Sequence, residues 1–293
     1  MNQSTRSTLF GLCLLLTGPL AVSADPATGY GLGNATLASQ IDTNLMAQTL
    51  AEKVGKGTQK SFMGRAYLPL QALDAAVTSF ELQDSSKAAA SLNRRLQNQL
   101  RINIANYHAC PTGSERDGGK RQKDEKPEFQ ASIEPLFWNA NWLSVVERSA
   151  GDCGGAHPFS GFTYSTWNLN TGEALNPWQW IKNGRKAATS AADPNHYFSY
   201  AAPAALNKII IKQAIKQRLT AFPHEASEAN ACVDVIKENR QYQISLGKTG
   251  LIFTPNFAHV VQACTEDAEI SYAEMMPFLN PAGRAALQAL RQN

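Results

Sequence analysis

The 293-residue sequence lacks a strong excess of charge of either sign. It carries 27 Lys and Arg against 24 Asp and Glu, which gives a formal net charge of +3 at pH 7. Proteins that bind nucleic acids through phosphate contacts carry a larger and more clustered basic excess. The charge balance therefore predicts no nucleic-acid partner.

The sequence also lacks an apolar run of the roughly 20 residues that a membrane-spanning helix needs. The longest run, Leu9–Leu16, follows Arg6 and is soon interrupted by a Gly-Pro pair. The small residues that end at Ala24 are typical of a signal-peptidase site. We predict a signal peptide over residues 1–24, a periplasmic or extracellular location, and no membrane span in the mature chain.

Cysteines are few and never close together. Cys13 lies in the predicted signal peptide, where Leu12 occupies the position that lipid attachment reserves for a small residue. The other four are at least 32 residues apart, namely Cys110, Cys153, Cys232 and Cys264. Zinc sites made of four cysteines usually contain close pairs, so neither a metal nor a cofactor is predicted. In an exported chain the four predict two disulfides, and three pairings are open.

Familiar catalytic motifs are absent from the sequence. There is no G-x-S-x-G or H-E-x-x-H motif, and the five histidines are at least 28 residues apart. The carboxylate pairs Asp124-Glu125 and Glu266-Asp267 lie in polar loop sequence, where we expect no burial that would raise their pKa. No catalytic residue is predicted.

The periodicity of apolar residues predicts an α+β fold. Leu92, Leu96, Leu100 and Ile104 mark one face of a helix that Asp84-Ser85 can cap. Residues 129–138, 142–148 and 162–169 alternate as three successive strands, a second hairpin surrounds residues 247–250, and a strand follows at 268–272. Further helices are predicted from Pro203 and Ala282. Sequential hairpins favour an antiparallel sheet packed with helices and stabilised by disulfides.

The predicted organisation has three parts. The signal peptide at 1–24 is followed by a mainly helical N-terminal part at 25–128, which contains a charged loop at 111–127. An α+β domain occupies residues 129–293. No proline-rich or serine-rich linker separates these parts.

Two features are candidate binding sites. Gly154 and Gly155 precede His157 in a predicted loop of small residues over 149–161, and this loop is interpreted either as a structural corner or as a recognition or catalytic element. Core packing is the simplest role for tryptophans in alternating strands, whereas Trp178 and Trp180 flank a polar residue near a helix start. Trp178 and Trp180 are therefore the first candidates for an exposed aromatic contact.

Four segments carry a resemblance to a known family. They are Trp142–Val146 (WLSVV), Cys153–Pro158 (CGGAHP), Trp167–Gly172 (WNLNTG) and Gly250–Phe253 (GLIF). Residues 129–279 resemble the domain of unknown function found at the C-terminal end of RsiV, a lysozyme-binding anti-sigma factor, and in exported bacterial proteins. The chain shows no sigma-binding segment, so the resemblance does not imply an anti-sigma role.

The resemblance and the export signals imply a non-enzymatic binding protein. Its partner would be a lysozyme-like wall hydrolase or a cell-envelope component such as a cell-wall glycan. The alternatives are an envelope glycan hydrolase or deacetylase-associated module, and an envelope assembly factor without a soluble ligand.

Overall fold

Two β-sheets make up the framework of the computed structural model, which describes residues 53–291 except 121, 123, 155–156, 184–198 and 223–225. The first half contains β1 (Val54–Lys56), β2 (Lys60–Phe62), β3 (Arg65–Ala72), β4 (Val77–Leu82), α1 (Lys87–Ala109), α2 (Gly113–Arg116), β5 (Glu128–Trp138), β6 (Trp142–Asp152), β7 (Phe159–Asn168) and β8 (Ala174–Leu175). The second half contains β9 (Tyr200–Ala201), α3 (Ala204–Ala221), α4 (Ala226–Glu238), β10 (Gln241–Leu246), β11 (Gly250–Pro255), β12 (Ala268–Ser271), α5 (Tyr272–Met275) and α6 (Pro281–Arg291). Short 3-10 helices occupy Pro177–Trp180, His259–Cys264 and Met276–Phe278.

The first sheet has the order β1-β3-β4-β5-β6-β7-β8, and β2 pairs with β3. Its neighbours are antiparallel except β4 and β5, which run parallel with Val77 opposite Ala131. A parallel pair needs a long crossover connection, and α1 supplies most of it. The α+β prediction is confirmed, with this one parallel pair added to the expected antiparallel sheet.

Strands β1–β4 come before α1 in the region predicted to be mainly helical. No strand is predicted there from the sequence, because residues 63–80 mix apolar and polar side chains without a clean alternation. Residue 128 is the predicted boundary between the N-terminal part and the α+β domain. Because β4 pairs with β5, the first sheet contains strands from both sides of that boundary. Residues 25–52 lie outside the described part of the chain.

Helix α1 covers one face of the first sheet. Its N-cap is Ser86, whose hydroxyl accepts a 3.1 Å hydrogen bond from the backbone N–H of Ala89, while Asp84 accepts from Ser86 N–H at 2.7 Å. The predicted apolar face is confirmed, because Leu92, Leu96, Leu100 and Ile104 are all buried. This helix therefore lies where the sequence predicts it, one or two residues beyond the predicted cap.

The long hairpin of β6 and β7 extends further than predicted. Residues 149–161 are expected to form a loop, but β6 continues to Asp152 and β7 begins at Phe159, with Gly151 opposite Phe159. Gly151 is required by close approach of the strands, since a Cβ at this position would overlap the carbonyl oxygen of Glu128. The expected loop is thus reduced to the residues between Asp152 and Phe159.

A β-bulge in β5 directs neighbouring side chains into two cores. The register against β6 shifts between Pro135 and Phe137. Ile133 and Trp138 contribute to the core beneath α1, whereas Phe137 joins the core of the second half. One extra residue reverses the facing of every side chain that follows, so Trp138 shares the face of Ile133 and Phe137 lies on the opposite face.

The second sheet has the order β12-β11-β10-β9 and is antiparallel throughout. Together with α3, α4 and α6 it encloses the largest buried cluster, which includes Leu206, Ile210, Leu246, Leu251 and Phe253. Burying each such side chain contributes about 1.5 to 3 kcal/mol. Ser144 links the sheets, since its hydroxyl lies 2.6 Å from that of Thr166 and accepts a 3.2 Å hydrogen bond from Leu246 N–H.

Two disulfides are present, as predicted, and the structure selects the pairing. Cys110 pairs with Cys153, and Cys232 pairs with Cys264. The first joins the end of α1 to the end of β6, and the second joins α4 to the 3-10 helix before β12. Within the described ranges, no helix is both long and apolar enough to cross a bilayer.

Candidate functional site

The Gly-Gly-Ala-His segment follows the end of β6 beside the first disulfide. Gly154 has a φ of +84°, a left-handed conformation that glycine adopts without strain. A Cβ at this position would lie 3.6 Å from Pro111 and 3.7 Å from Arg116. His157 is exposed, and Gly155 lies outside the described residues. The described part of the segment therefore packs against the start of the charged loop.

Arg116 attaches the predicted charged loop to this corner. Its guanidinium donates to the backbone carbonyl of Asp152 at 2.7 Å and forms ion pairs with the carboxylates of Asp152 at 2.6 Å and Glu128 at 3.2 Å. These contacts join α2 to the adjacent ends of β5 and β6. They support a structural role for the corner, since the polar groups of Arg116 and Asp152 are engaged with each other.

Trp178 and Trp180 are not exposed, contrary to the sequence expectation. Trp178 is 1% exposed and Trp180 is 5% exposed. The indole N–H of Trp178 donates to the carbonyl of Tyr242 at 3.0 Å, and the ring of Trp180 meets that of Trp142 edge-on at 5.8 Å. Both rings are core residues, because the 3-10 helix lies under α6 and the second sheet; neither presents a surface to a partner.

A cleft of about 710 Å³ lies between β7 and α3, and we call it the β7–α3 cleft. Its floor is formed by Arg148 from β6 and by Phe162 and Tyr164 from β7. One wall belongs to α3 and consists of Gln213, Lys216, Gln217, Thr220 and Ala221. The other wall is the segment before β12 and consists of Thr265, Glu266 and Asp267. None of these residues is among the sequence-predicted site residues.

Strand and helix periodicity explains why these side chains converge. Phe162 and Tyr164 are two residues apart and so share one face of β7, and Arg148 lies directly opposite Phe162 in the sheet. The α3 residues recur at spacings of three and four, which places them on one side of that helix. The two faces meet because α3 packs on β12, beside the end of the first sheet.

The wall formed by the segment before β12 is anchored to α3. Arg218 is largely buried, and its guanidinium donates to the carbonyl of Ala263 at 3.2 Å and to the carboxylate of Glu266 at 3.1 Å. The adjacent Cys264 is bonded to Cys232 on α4. Residues 263–266 are therefore fixed by one ion pair and one covalent bond.

Asp267 and Tyr164 form a hydrogen-bonded pair at the cleft. The phenolic O–H of Tyr164 lies 3.3 and 3.2 Å from the two carboxylate oxygens of Asp267, and Thr254 donates to the same carboxylate. Desolvation raises the pKa of the Asp267 carboxyl against the opposing effect of these donors. The expectation that burial does not raise the pKa values of Glu266 and Asp267 is therefore wrong for Asp267. Folding brings β7 and β11 against a loop whose polar sequence predicts exposure to solvent.

Tyr164 remains protonated over the physiological pH range. Desolvation, together with the nearby charge of Asp267, raises the pKa of its phenol. By contrast, a hydrogen bond from the backbone N–H of Ser114 lowers the pKa of Glu125, in the other carboxylate pair, to about 2. Glu125 is thus a structural residue of its loop, whereas Asp267 has an altered environment at a concave surface.

Two polar atoms at the cleft are shielded from solvent without an internal hydrogen bond. They are Oε1 of Gln217 and Oγ1 of Thr265, neither of which has a partner among the described residues. Leaving such an atom unpaired costs about 1 to 3 kcal/mol. Both atoms belong to side chains that line the cleft.

The lining does not resemble a metal centre. No group of three or more His, Cys, Asp or Glu side chains that could hold a metal ion occurs within the described residues. The cleft offers carboxylates, amides, hydroxyls, two cations and two aromatic rings. Such a set is suited to holding a polar ligand by hydrogen bonds and ring contacts.

The solved structures that the chain resembles include two proteins of the DUF3298 family. The chain matches no protein-family model and no curated protein. It is similar to a DUF3298 family protein from Pseudomonas aeruginosa PAO1, with a TM-score of 0.43 and 10% identity over 78% of this chain and 94% of that one. It is also similar to a member of the DUF3298 family from Bacteroides fragilis NCTC 9343, with a TM-score of 0.42 and 14% identity over 82% of this chain and 97% of that one.

Proposed function

We propose that the chain is an exported, non-enzymatic binding protein of the bacterial cell envelope and that the β7–α3 cleft is its ligand site. The observation that carries the proposal is the cleft, which is lined by side chains from β6, β7, α3 and the segment before β12. Ligand sites typically measure about 300 to 1,000 Å³ and combine apolar surface with a few fixed polar groups. A volume of about 710 Å³ with two rings and several amides agrees with that description.

Export is supported by two independent features. The N-terminal sequence has the charge, apolar run and small residues of a signal peptide. The four remaining cysteines form two disulfides, bonds that persist in oxidising compartments. The expected mature protein begins at Asp25.

Binding without turnover is supported by the chemistry of the lining. Asp267 already accepts hydrogen bonds from Tyr164 and Thr254, and Glu266 is paired with Arg218. The raised pKa of Tyr164 keeps its phenol a donor and not a base. These groups are held as fixed hydrogen-bonding partners, which suits recognition more than proton transfer.

A binding assay with two arms tests which partner the protein binds. The full chain is expressed with its N-terminal segment, purified, and incubated either with purified peptidoglycan sacculi or with immobilised lysozyme. Lys216 projects from the cleft wall, while Lys208 is exposed on the same helix about two turns away. Lys216→Glu and Lys208→Glu therefore form a matched pair of variants.

We expect the wild-type protein and the Lys208→Glu variant to sediment with sacculi or to be retained by lysozyme, and Lys216→Glu to lose most of that binding. The muropeptide profile of the sacculi should stay unchanged after long incubation. Release of muropeptides would overturn the non-enzymatic assignment, and absence of binding in both arms would overturn the proposed function.

A further inference from the structure

Building on the proposed binding function, we infer that the β7–α3 cleft takes a short sugar chain that carries a carboxylate. The inference rests on the juxtaposition of three groups of side chains in one cleft. Two aromatic rings form the floor, amide and hydroxyl side chains lie in the walls, and two cations come from β6 and α3. Each group matches a different part of such a ligand.

The aromatic floor suits the apolar faces of sugar rings. The ring centroids of Phe162 and Tyr164 are 5.7 Å apart with an angle of 59° between the planes, and both side chains are only partly buried. Aromatic faces carry negative electrostatic potential and attract weakly positive C–H groups. Sugar rings present rows of C–H groups on one face, so a sugar can lie against these two rings.

The walls offer hydrogen-bonding groups to the ligand. Amide and hydroxyl side chains line them, among them Gln213 and Thr220. The Asp267 carboxylate adds acceptor capacity beside them. Hydroxyl and acetamido groups of a sugar can exchange hydrogen bonds with such side chains, whereas an apolar ligand would displace their water without replacing those bonds.

The cations indicate that the ligand is acidic. Arg148 and Lys216 are both exposed at the cleft, and neither forms an ion pair within the described parts of the chain. Glu266 does not neutralise them, because it is paired with Arg218. Two cations thus oppose the single carboxylate of Asp267, and a guanidinium is well suited to bind a carboxylate through two parallel hydrogen bonds.

The test compares two sugars that differ in the carboxylate. The first probe is the peptide-free tetrasaccharide of alternating N-acetylglucosamine and N-acetylmuramic acid, and the second is chitotetraose, which has the same number of rings and no carboxylate. Affinities for the full-length protein are measured by calorimetry. We expect the acidic tetrasaccharide to bind about tenfold more tightly, equivalent to about 1.4 kcal/mol.

Variants assign that preference to the cleft. Lys216→Gln and Arg148→Gln should each reduce the preference to within about twofold, while Lys208→Gln should retain it. Phe162→Ala should weaken binding of both sugars equally, because it removes ring contact and no charge. Thermal melting of each variant checks that the fold is intact, and the exposed positions of Lys216, Arg148 and Lys208 make large losses of stability unexpected.

Equal affinity for both sugars, or a preference that survives Lys216→Gln and Arg148→Gln together, would overturn the inference. If neither sugar binds while lysozyme retention remains sensitive to Lys216→Glu, the sugar assignment fails and the proposed binding function stands with a protein ligand. If neither sugar, sacculi nor lysozyme binds, both fail.

Discussion

The carboxylate of Glu147 accepts a 2.9 Å hydrogen bond from the side-chain amide of Asn103, and this contact joins the centre of α1 to β6. Gln99 donates to the same carboxylate oxygen at 2.7 Å. Desolvation between the helix and the sheet nevertheless raises the pKa of Glu147 above its ordinary value of 4.5. Folding therefore favours the protonated form of this side chain.

This raised pKa predicts a pH-dependent penalty on stability. Below pH 4.5 the carboxyl of Glu147 is protonated in both the folded and the unfolded chain, so the penalty is absent. The penalty grows as the pH rises from 4.5 towards the pKa of the folded state, and it is complete above that pKa. Glu147→Gln keeps one oxygen acceptor for both amides and removes the charge. We expect its melting temperature to exceed that of the wild type by about 2 °C at pH 7 and to match it at pH 4.

The control for this prediction is Glu134→Gln, at an exposed position on the neighbouring strand β5. It should leave the melting temperature unchanged at both pH values. A Glu147→Gln protein that is less stable than the wild type at pH 7 would show that the ionised carboxylate stabilises the fold.

Trp178 is expected to act through packing. Trp178→Ala removes a fully buried ring and its hydrogen bond to Tyr242, which should lower the free energy of unfolding by about 3 to 5 kcal/mol. Gln179→Ala, at the exposed neighbouring position, should change it by less than about 0.5 kcal/mol. Urea unfolding monitored by circular dichroism measures both, and equal small effects would place Trp178 at the surface.

Gly154 is expected to be required for its backbone conformation. Gly154→Ala forces a left-handed φ of +84° on a side chain that disfavours it, at a cost of about 1 to 2 kcal/mol. Gly161→Ala on β7 is the matched control, because its φ is not positive and the nearest atom to the new Cβ is 3.8 Å away. The control should be neutral or slightly stabilising in the same unfolding assay, and a neutral Gly154→Ala would contradict the assigned conformation.

The two disulfides are expected to contribute separately. Replacing either pair by alanine should lower the free energy of unfolding by about 2 to 5 kcal/mol, since the closed loops span 43 and 32 residues. Peptide mapping without reduction should recover Cys110 linked to Cys153 and Cys232 linked to Cys264. Peptides that link Cys153 to Cys232 would contradict the fold.

Much of the architecture follows from local sequence pattern. The apolar face of α1, the hairpins of β5 to β7 and of β10 to β11, and the presence of two disulfides are determined by periodicity, turn residues and cysteine count, all of which are visible along the chain. Strands β1–β4 are not visible in this way. Their residues lack alternation, and although β1, β2, β3 and β4 pair locally with one another, the join between β4 and the rest of the sheet depends on a helical crossover and the distant strand β5.

The candidate site could not be assembled from sequence. Arg148, Phe162, Lys216 and Asp267 come from four separate segments, and no local motif links them. Trp178 was predictable as a large ring near a helix start, but its burial depends on α6 and the second sheet, which pack on it from elsewhere in the chain. The one signal available in advance was the alternation of Phe162 and Tyr164 on β7, which indicates a shared face but not what faces it.

Each disulfide joins cysteines that are consecutive in the sequence after Cys13. Under the proposed export, which delivers the chain from its N terminus, Cys153 emerges while Cys110 is the only earlier cysteine beyond the predicted signal peptide, and Cys264 emerges when Cys232 is the only one still unpaired. An oxidase that joins thiols in order of appearance therefore produces the native bonds directly. The protein should mature at a normal rate in a host that lacks a disulfide isomerase, whereas loss of the oxidase should leave it reduced.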